Sequence, residues 1–205
     1  MRMEVNRTRV KLTSVEGDLD VRDGEVEAVN GQLRVSGTIF SRGISRFIGD
    51  VIAESYNAQN GDTVITGNFT AGKRIESEGS ISVEGNLKTD ILNVKRRLHV
   101  GGSLESYDID IGGSVDVGGS SKSYKVDVGG SLRSDSSMEV NRLDVGGSVD
   151  IKGDFTAERM DVGGSFIGRG RVKADDVDVG GSFEAQSEVE IGNLDVGGTI
   201  ILGGG

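Results

Sequence analysis

The sequence predicts an all-β chain, a single-stranded parallel β-helix with a triangular cross-section and about 17 residues per turn. Three observations carry this. The tripeptide GGS begins at Gly112, Gly129, Gly146, Gly163 and Gly180 and GGT begins at Gly197, five successive intervals of 17 residues. Between the glycines, apolar residues come in pairs separated by one polar residue. When the segments are aligned at that interval, the apolar positions fall into columns whose volumes compensate.

One unit, Leu143 to Arg159, contains the pairs Leu143 and Val145, Val149 and Ile151, Phe155 and Ala157. Alternation at period two puts both members of a pair on the same face of a short strand. The intervening Gly146-Gly147-Ser148, Lys152-Gly153-Asp154 and Glu158-Arg159 read as corners, so three strands and three corners close one turn. Successive turns then stack about 4.8 Å apart as parallel sheets. The column through Val149 reads Ile81, Leu98, Val115, Leu132, Val149, Phe166, Phe183, Ile200, and where it swells to Phe166 and Phe183 the partner two residues on shrinks to Gly168 and Ala185. Close packing demands that exchange. The turn from Ile109 to Lys125 offers only Ser121 and Ser123 on its third side, which predicts a thinner core there. The paired glycines are expected to supply positive φ at a sharp corner.

The register reaches back to Ile75, giving eight turns in phase. Upstream the period blurs but a local phrase survives in Val15-Glu-Gly-Asp-Leu19, Val35-Ser-Gly-Thr-Ile39 and Ile65-Thr-Gly-Asn-Phe69. The stretch from Arg42 to Asn60, with Phe47 and Tyr56, departs most and is expected to hold a protruding loop. Counting 17 to 19 residues per turn gives about 11 turns and a rod about 50 Å long. The expectation is one domain over 1–205, with irregular turns in 1–74 and regular ones in 75–205.

Composition agrees. Glycine makes up 34 of 205 residues, proline, cysteine and tryptophan are absent, and the aromatics number nine. An apolar fraction of 35% suffices only if almost all of it faces inward. The net charge of −10 argues against nucleic acid as a partner, since phosphate binding needs a basic surface. Residues 1–74 carry 10 basic and 10 acidic side chains, so the whole excess lies in the regular part. A basic cluster of Arg2, Arg7, Arg9 and Lys11 marks the start. No apolar run is long enough for a signal peptide or a membrane span, and the default expectation is a cytoplasmic protein.

The phrase apolar-x-Gly-x-apolar-x-small, as in Val83-Glu-Gly-Asn-Leu-Lys-Thr89, Val100-Gly-Gly-Ser-Leu-Glu-Ser106 and Ile151-Lys-Gly-Asp-Phe-Thr-Ala157, resembles the bactofilins, a polymer-forming cytoskeletal family. The likeness spans nearly the whole chain. It implies a right-handed β-helix that polymerises through its ends into non-motile filaments without nucleotide and scaffolds other proteins, often at a membrane. Two departures stand out. Bactofilins usually carry flexible, often proline-rich tails and commonly an N-terminal membrane-binding segment, whereas this chain has no proline and begins its strands at once. Membrane attachment is therefore left open.

Six aspartates, Asp110, Asp127, Asp144, Asp161, Asp178 and Asp195, form an outward column. Neighbours about 4.8 Å apart repel by about 1 kcal/mol in water, a cost that something must offset. Calcium sites are the sharper reading, since carboxylates are hard oxygen ligands; a solvated face with corner hydrogen bonds is the plainer one. The calcium-binding nonapeptide GGxGxDxUx is absent. Catalysis is not expected. The one histidine, His99, faces outward without an evident partner, and no nucleophile, cofactor site or acid–base constellation emerges. The ends carry the functional expectation: with no capping helix, the surfaces around Met1, Met3 and Val5 and around Ile200, Ile201 and Leu202 are available for self-association. The leading expectation is a self-polymerising cytoskeletal filament or scaffold, binding itself end to end and other proteins along its surface. The alternative is a non-polymerising β-helical adaptor or cell-surface binding protein, in one version calcium-binding through the aspartates.

Overall fold

The computed structural model describes residues 2–203, every strand of which belongs to one parallel hydrogen-bonded set wound into a β-solenoid. One inward column counts the turns. It runs Met3, Leu19, Ile39, Tyr56, Ile75, Leu92, Ile109, Val126, Leu143, Met160, Val177, Leu194. That is twelve turns, one more than the count from sequence, because only two steps exceed 17 residues. Steps of 16, 20, 17 and 19 residues precede Ile75, and every later step is 17. At about 4.8 Å per turn the stack is about 55 Å long.

The column from Ile81 to Ile200 pairs residue for residue as the spacing predicts. Phe166 and Phe183 stack in it with centroids 5.2 Å apart and planes 11° apart. Gly168 makes room for them: a Cβ there would stand 2.9 Å from the Phe166 ring and 2.6 Å from Val172. Each regular turn contains two strands rather than three, such as Met138–Val145 and Val149–Ile151. The corner expected near Glu158-Arg159 is a bend inside the continuous strand Phe155–Val162, so only two corners interrupt the pairing.

The glycine pairs do not supply positive φ. Positive φ occurs at Gly17, Gly31, Gly43 and Gly49, all in the irregular third, and at the non-glycine residues Arg7, Asp23 and Asn60. In the regular turns glycine is required by contact between turns. The corner backbone lies directly on the one below, with the Gly130 N–H donating to the Gly113 carbonyl at 2.8 Å. A Cβ at Gly129 would approach the Gly112 oxygen to 2.6 Å.

No loop protrudes between Arg42 and Asn60. Ser45–Gln59 is a single strand of 15 residues whose Phe47, Val51, Ala53, Tyr56 and Ala58 are buried, so its irregular spelling reflects a different core rather than an excursion. Tyr56 packs edge-on against Phe47 and Phe69, with ring centroids 6.3 and 5.2 Å away, and its hydroxyl is hydrogen-bonded to Thr63 inside the core. The excursion lies one turn earlier. The register breaks between Glu27 and Gln32, and Val29, Asn30, Gly31 and Gln32 stand in solvent.

The thin turn is present. Ser121 and Ser123 are buried beside a void of about 10 Å³ bounded also by Leu104, Val117 and Met138. That is at the lower limit of space for one water. The Ser123 hydroxyl has no hydrogen-bond partner, and the Ser77 hydroxyl shares that state.

Candidate assembly surfaces

The last described turn presents an open section of the core. Its inward residues Val189, Ile191, Leu194 and Val196 are only half-buried, whereas their equivalents one turn earlier are buried. Ile200, Ile201 and Leu202 are 49%, 51% and 58% exposed. Ile200 and Leu202 stand above Phe183 and Ala185 as the last described members of inward columns. The upper backbone edge of this turn is unpaired, which is how a sheet accepts another strand.

The opposite end is built differently. Met3 is 36% exposed and Val10 and Leu12 are half-buried, but Val5 is 1% exposed and Val15 is buried. Val5 therefore does not belong to the exposed end surface expected from sequence; it packs inside the first turn, against Gly24 and Val21 of the second. Met1 lies outside the described residues. The cations at this end are paired within the chain, Arg7 with Asp23 among them. Arg9 pairs with Glu25 and Glu27, Lys11 with Glu27, and Arg2 and Arg22 both contact the buried Asp20 carboxylate. Desolvation pushes the Asp20 carboxyl up, but the hydrogen bonds and charges of Arg22 and Arg2 outweigh it and hold the group below the usual range.

Along the rod, the six aspartates stack in register. None of them has a salt bridge or side-chain hydrogen bond among the described residues, so the corner hydrogen bonds of the plainer reading are missing. Desolvation, then the charges of Asp127 and Asp161, raise the Asp144 carboxyl, while Lys125 opposes the rise. Part of the relief comes from the neighbouring outward column, where Lys125 acts on Asp144 and Arg142 and Arg159 follow Lys125 in register. Among the described residues no group of three or more histidine, aspartate or glutamate side chains is placed to hold a metal ion.

Other outward columns alternate in sign. Lys88 pairs with Glu105 at 2.6 Å, Lys122 with Glu139 at 2.9 Å and Lys173 with Glu190 at 2.9 Å, all on one face. A corner ladder of side chain to backbone also runs up the stack: the Asn68, Asn86 and Ser103 amides donate to Asp50, Asn68 and Asn86 respectively. His99 has a partner, Asp116 of the next turn, with Nδ1 3.3 Å from the carboxylate. The interval of 17 would have identified it. The same interval places Tyr107 and Tyr124 together at the bend outside the thin turn, their exposed rings parallel within 4° and 4.9 Å apart.

No helix of the described residues is long and apolar enough to cross a membrane. Comparison with protein-family models, with curated proteins and with solved structures finds no match to this chain.

Proposed function

We propose that the chain is a structural protein that associates with itself end to end, forming a cytoskeletal filament or scaffold without nucleotide and without catalysis. The observation that carries this reading is the exposed core section of the last turn, where Ile200 and Leu202 end two inward columns that are buried in every turn between the first and the last. Covering both side chains in a second copy would contribute several kcal/mol of apolar burial, at about 25 cal/mol per Å². The resemblance of the repeat phrase to bactofilins supports the same reading.

The surface chemistry agrees with a structural role. Its charged columns are largely satisfied from turn to turn, and the His99–Asp116 pair stands on an open face rather than in a cleft. Negative-stain microscopy of the purified chain tests the proposal. Fibres of uniform width are expected, and the double substitution Ile200→Arg, Leu202→Arg should leave short soluble particles. Short monodisperse rods from the unaltered chain would reject polymerisation, and fibres unaffected by the substitution would reject this end as the contact.

A further inference from the structure

We infer that the rod has a built-in opening point: the turn from Val115 to Val128 opens while the turns on either side of it stay folded, so the solenoid yields at one fixed level. Three observations at that level point the same way.

The first is the interior. In a solenoid each turn is stabilised by its contacts with the turns next to it, so the thinnest contact sets where the stack opens. Two aromatic clusters fill the core at separate levels, Phe47, Tyr56 and Phe69 below and Phe155, Phe166 and Phe183 above, all buried. Between Phe69 and Phe155 the only aromatic residues are Tyr107 and Tyr124, and both are exposed. The inward column that joins the clusters reads Phe69, Leu87, Leu104, Ser121, Met138, Phe155, and the one beside it Thr89, Ser106, Ser123, Val140, Ala157. Only at Ser121 and Ser123 do both columns carry serine in the same turn, and Ser134, one turn on, borders the same void. A hydroxyl in place of a longer apolar side chain leaves fewer contacts to hold neighbouring turns together. That of Ser123 also lacks a hydrogen-bond partner.

The second is the backbone, which is continuous at this level. The Leu104 N–H donates to the Ser120 carbonyl at 3.0 Å, and the Ser121 N–H to the Ser137 carbonyl at 2.9 Å. The deficit therefore lies in the side chains, and the turn can open and reclose in the same register.

The third is outside. Tyr107 and Tyr124 bridge this step with parallel rings 4.9 Å apart. The charged column beside them does not bridge it. Lys88 pairs with Glu105 and Lys122 with Glu139, which leaves the step from Glu105 to Lys122 without an ion pair among the described residues. The stacked tyrosines are thus the outer clasp of the thin turn.

Amide hydrogen exchange of the chain, read strand by strand with mass spectrometry, tests this. Ser121–Val128 should exchange about tenfold faster than Phe69–Ser77 and Phe155–Val162. Fraying from the ends reaches Phe155–Val162 before Ser121–Val128 and gives the opposite order. Protection of Ser121–Val128 equal to or above that of both flanking strands overturns the inference. Two variants assign the cause. Ser121→Val with Ser123→Ala replaces both hydroxyls with apolar groups and should slow exchange at Ser121–Val128 to the rate of its neighbours; a folded variant that still opens there rejects the thin core as the reason. Tyr124→Ser removes the outer stack and should speed exchange at Ser121–Val128 while Phe155–Val162 keeps its rate. Equal acceleration of both strands would mean that the rod opens as one unit, and would overturn the inference as well.

Discussion

The carbonyl oxygen of Gly129 lies 2.6 Å from the point where a Cβ on Gly146 would stand, one turn above it. Backbone, not a movable side chain, fills that space, and the contact recurs at Gly163, Gly180 and Gly197. Gly146→Ala should therefore destabilise the chain by about 1–3 kcal/mol, the usual cost of overpacking. Gly31 offers a contrast, with φ at +76° and nothing within 4 Å of an added Cβ. Gly31→Ala should cost only the left-handed penalty of about 1–2 kcal/mol and leave neighbouring turns undisturbed. Denaturant melts of both variants, with amide exchange at residues 128–131, separate the two mechanisms: only Gly146→Ala should loosen the turn below.

The acid column makes a prediction of the opposite sign. Asp144 has its carboxyl raised by desolvation and by its two acidic neighbours, so its charged form opposes folding at neutral pH. For an acid with a raised folded pKa, the penalty is relieved as pH falls through that value and is gone below the unfolded value of about 3.9. Asp144→Asn should stabilise the fold at pH 7 and low salt by less than about 1 kcal/mol, after screening by water. The gain should shrink with added salt and vanish below about pH 4. A melting temperature that falls at pH 7 would refute the repulsion account.

How much of this was legible depended on phase. From Ile75 onward a fixed interval of 17 let each inward residue be named from its neighbours, and the Phe166–Gly168 exchange followed from volume alone. The same interval would have set His99 beside Asp116 and Tyr107 beside Tyr124, but a single unit taken in isolation hides both pairs and leaves His99 without a partner. Before Ile75 the unequal turns destroy phase, so the buried strand Ser45–Gln59 resembled a loop and the real excursion at Val29–Gln32 passed unseen. Glycine was read through its torsional freedom when its lack of a Cβ was what the stacked corners need. Val5 looked terminal in sequence, yet it lies in an inward column one turn below the buried Val21 and packs against Gly24.

Tyr56 supplies an alkaline signature. Burial raises its phenol to about 12, against weaker opposing hydrogen bonds from Ser41 and Thr63. The unfolded chain ionises this group near pH 10, so it binds fewer protons than the folded chain above that pH. The stability this provides is full below pH 10 and is lost as pH rises toward about 12. Tyr56→Phe should cost about 1 kcal/mol at pH 7, because Thr63 loses its partner, and should flatten the alkaline limb of the stability curve. A limb unchanged in the variant would assign it to other groups.

The thin turn is the place where the chain can be improved. Ser123 is buried, its hydroxyl has no partner, and it borders the void beneath Met138. An unsatisfied buried hydroxyl costs about 1–3 kcal/mol relative to one in water, and removing it leaves a methyl that the same space accepts. Ser123→Ala should raise stability by about 1 kcal/mol, or about 2–4 °C in melting temperature for a chain of this size. Ser106, one turn below, is the control: its hydroxyl donates to the carbonyls of Asp90 and Asp108, both at 3.1 Å. Ser106→Ala removes satisfied hydrogen bonds and should destabilise by a similar amount. Parallel calorimetry of the two variants reads the difference directly, and equal shifts of the same sign would mean that hydroxyl satisfaction does not govern this part of the core.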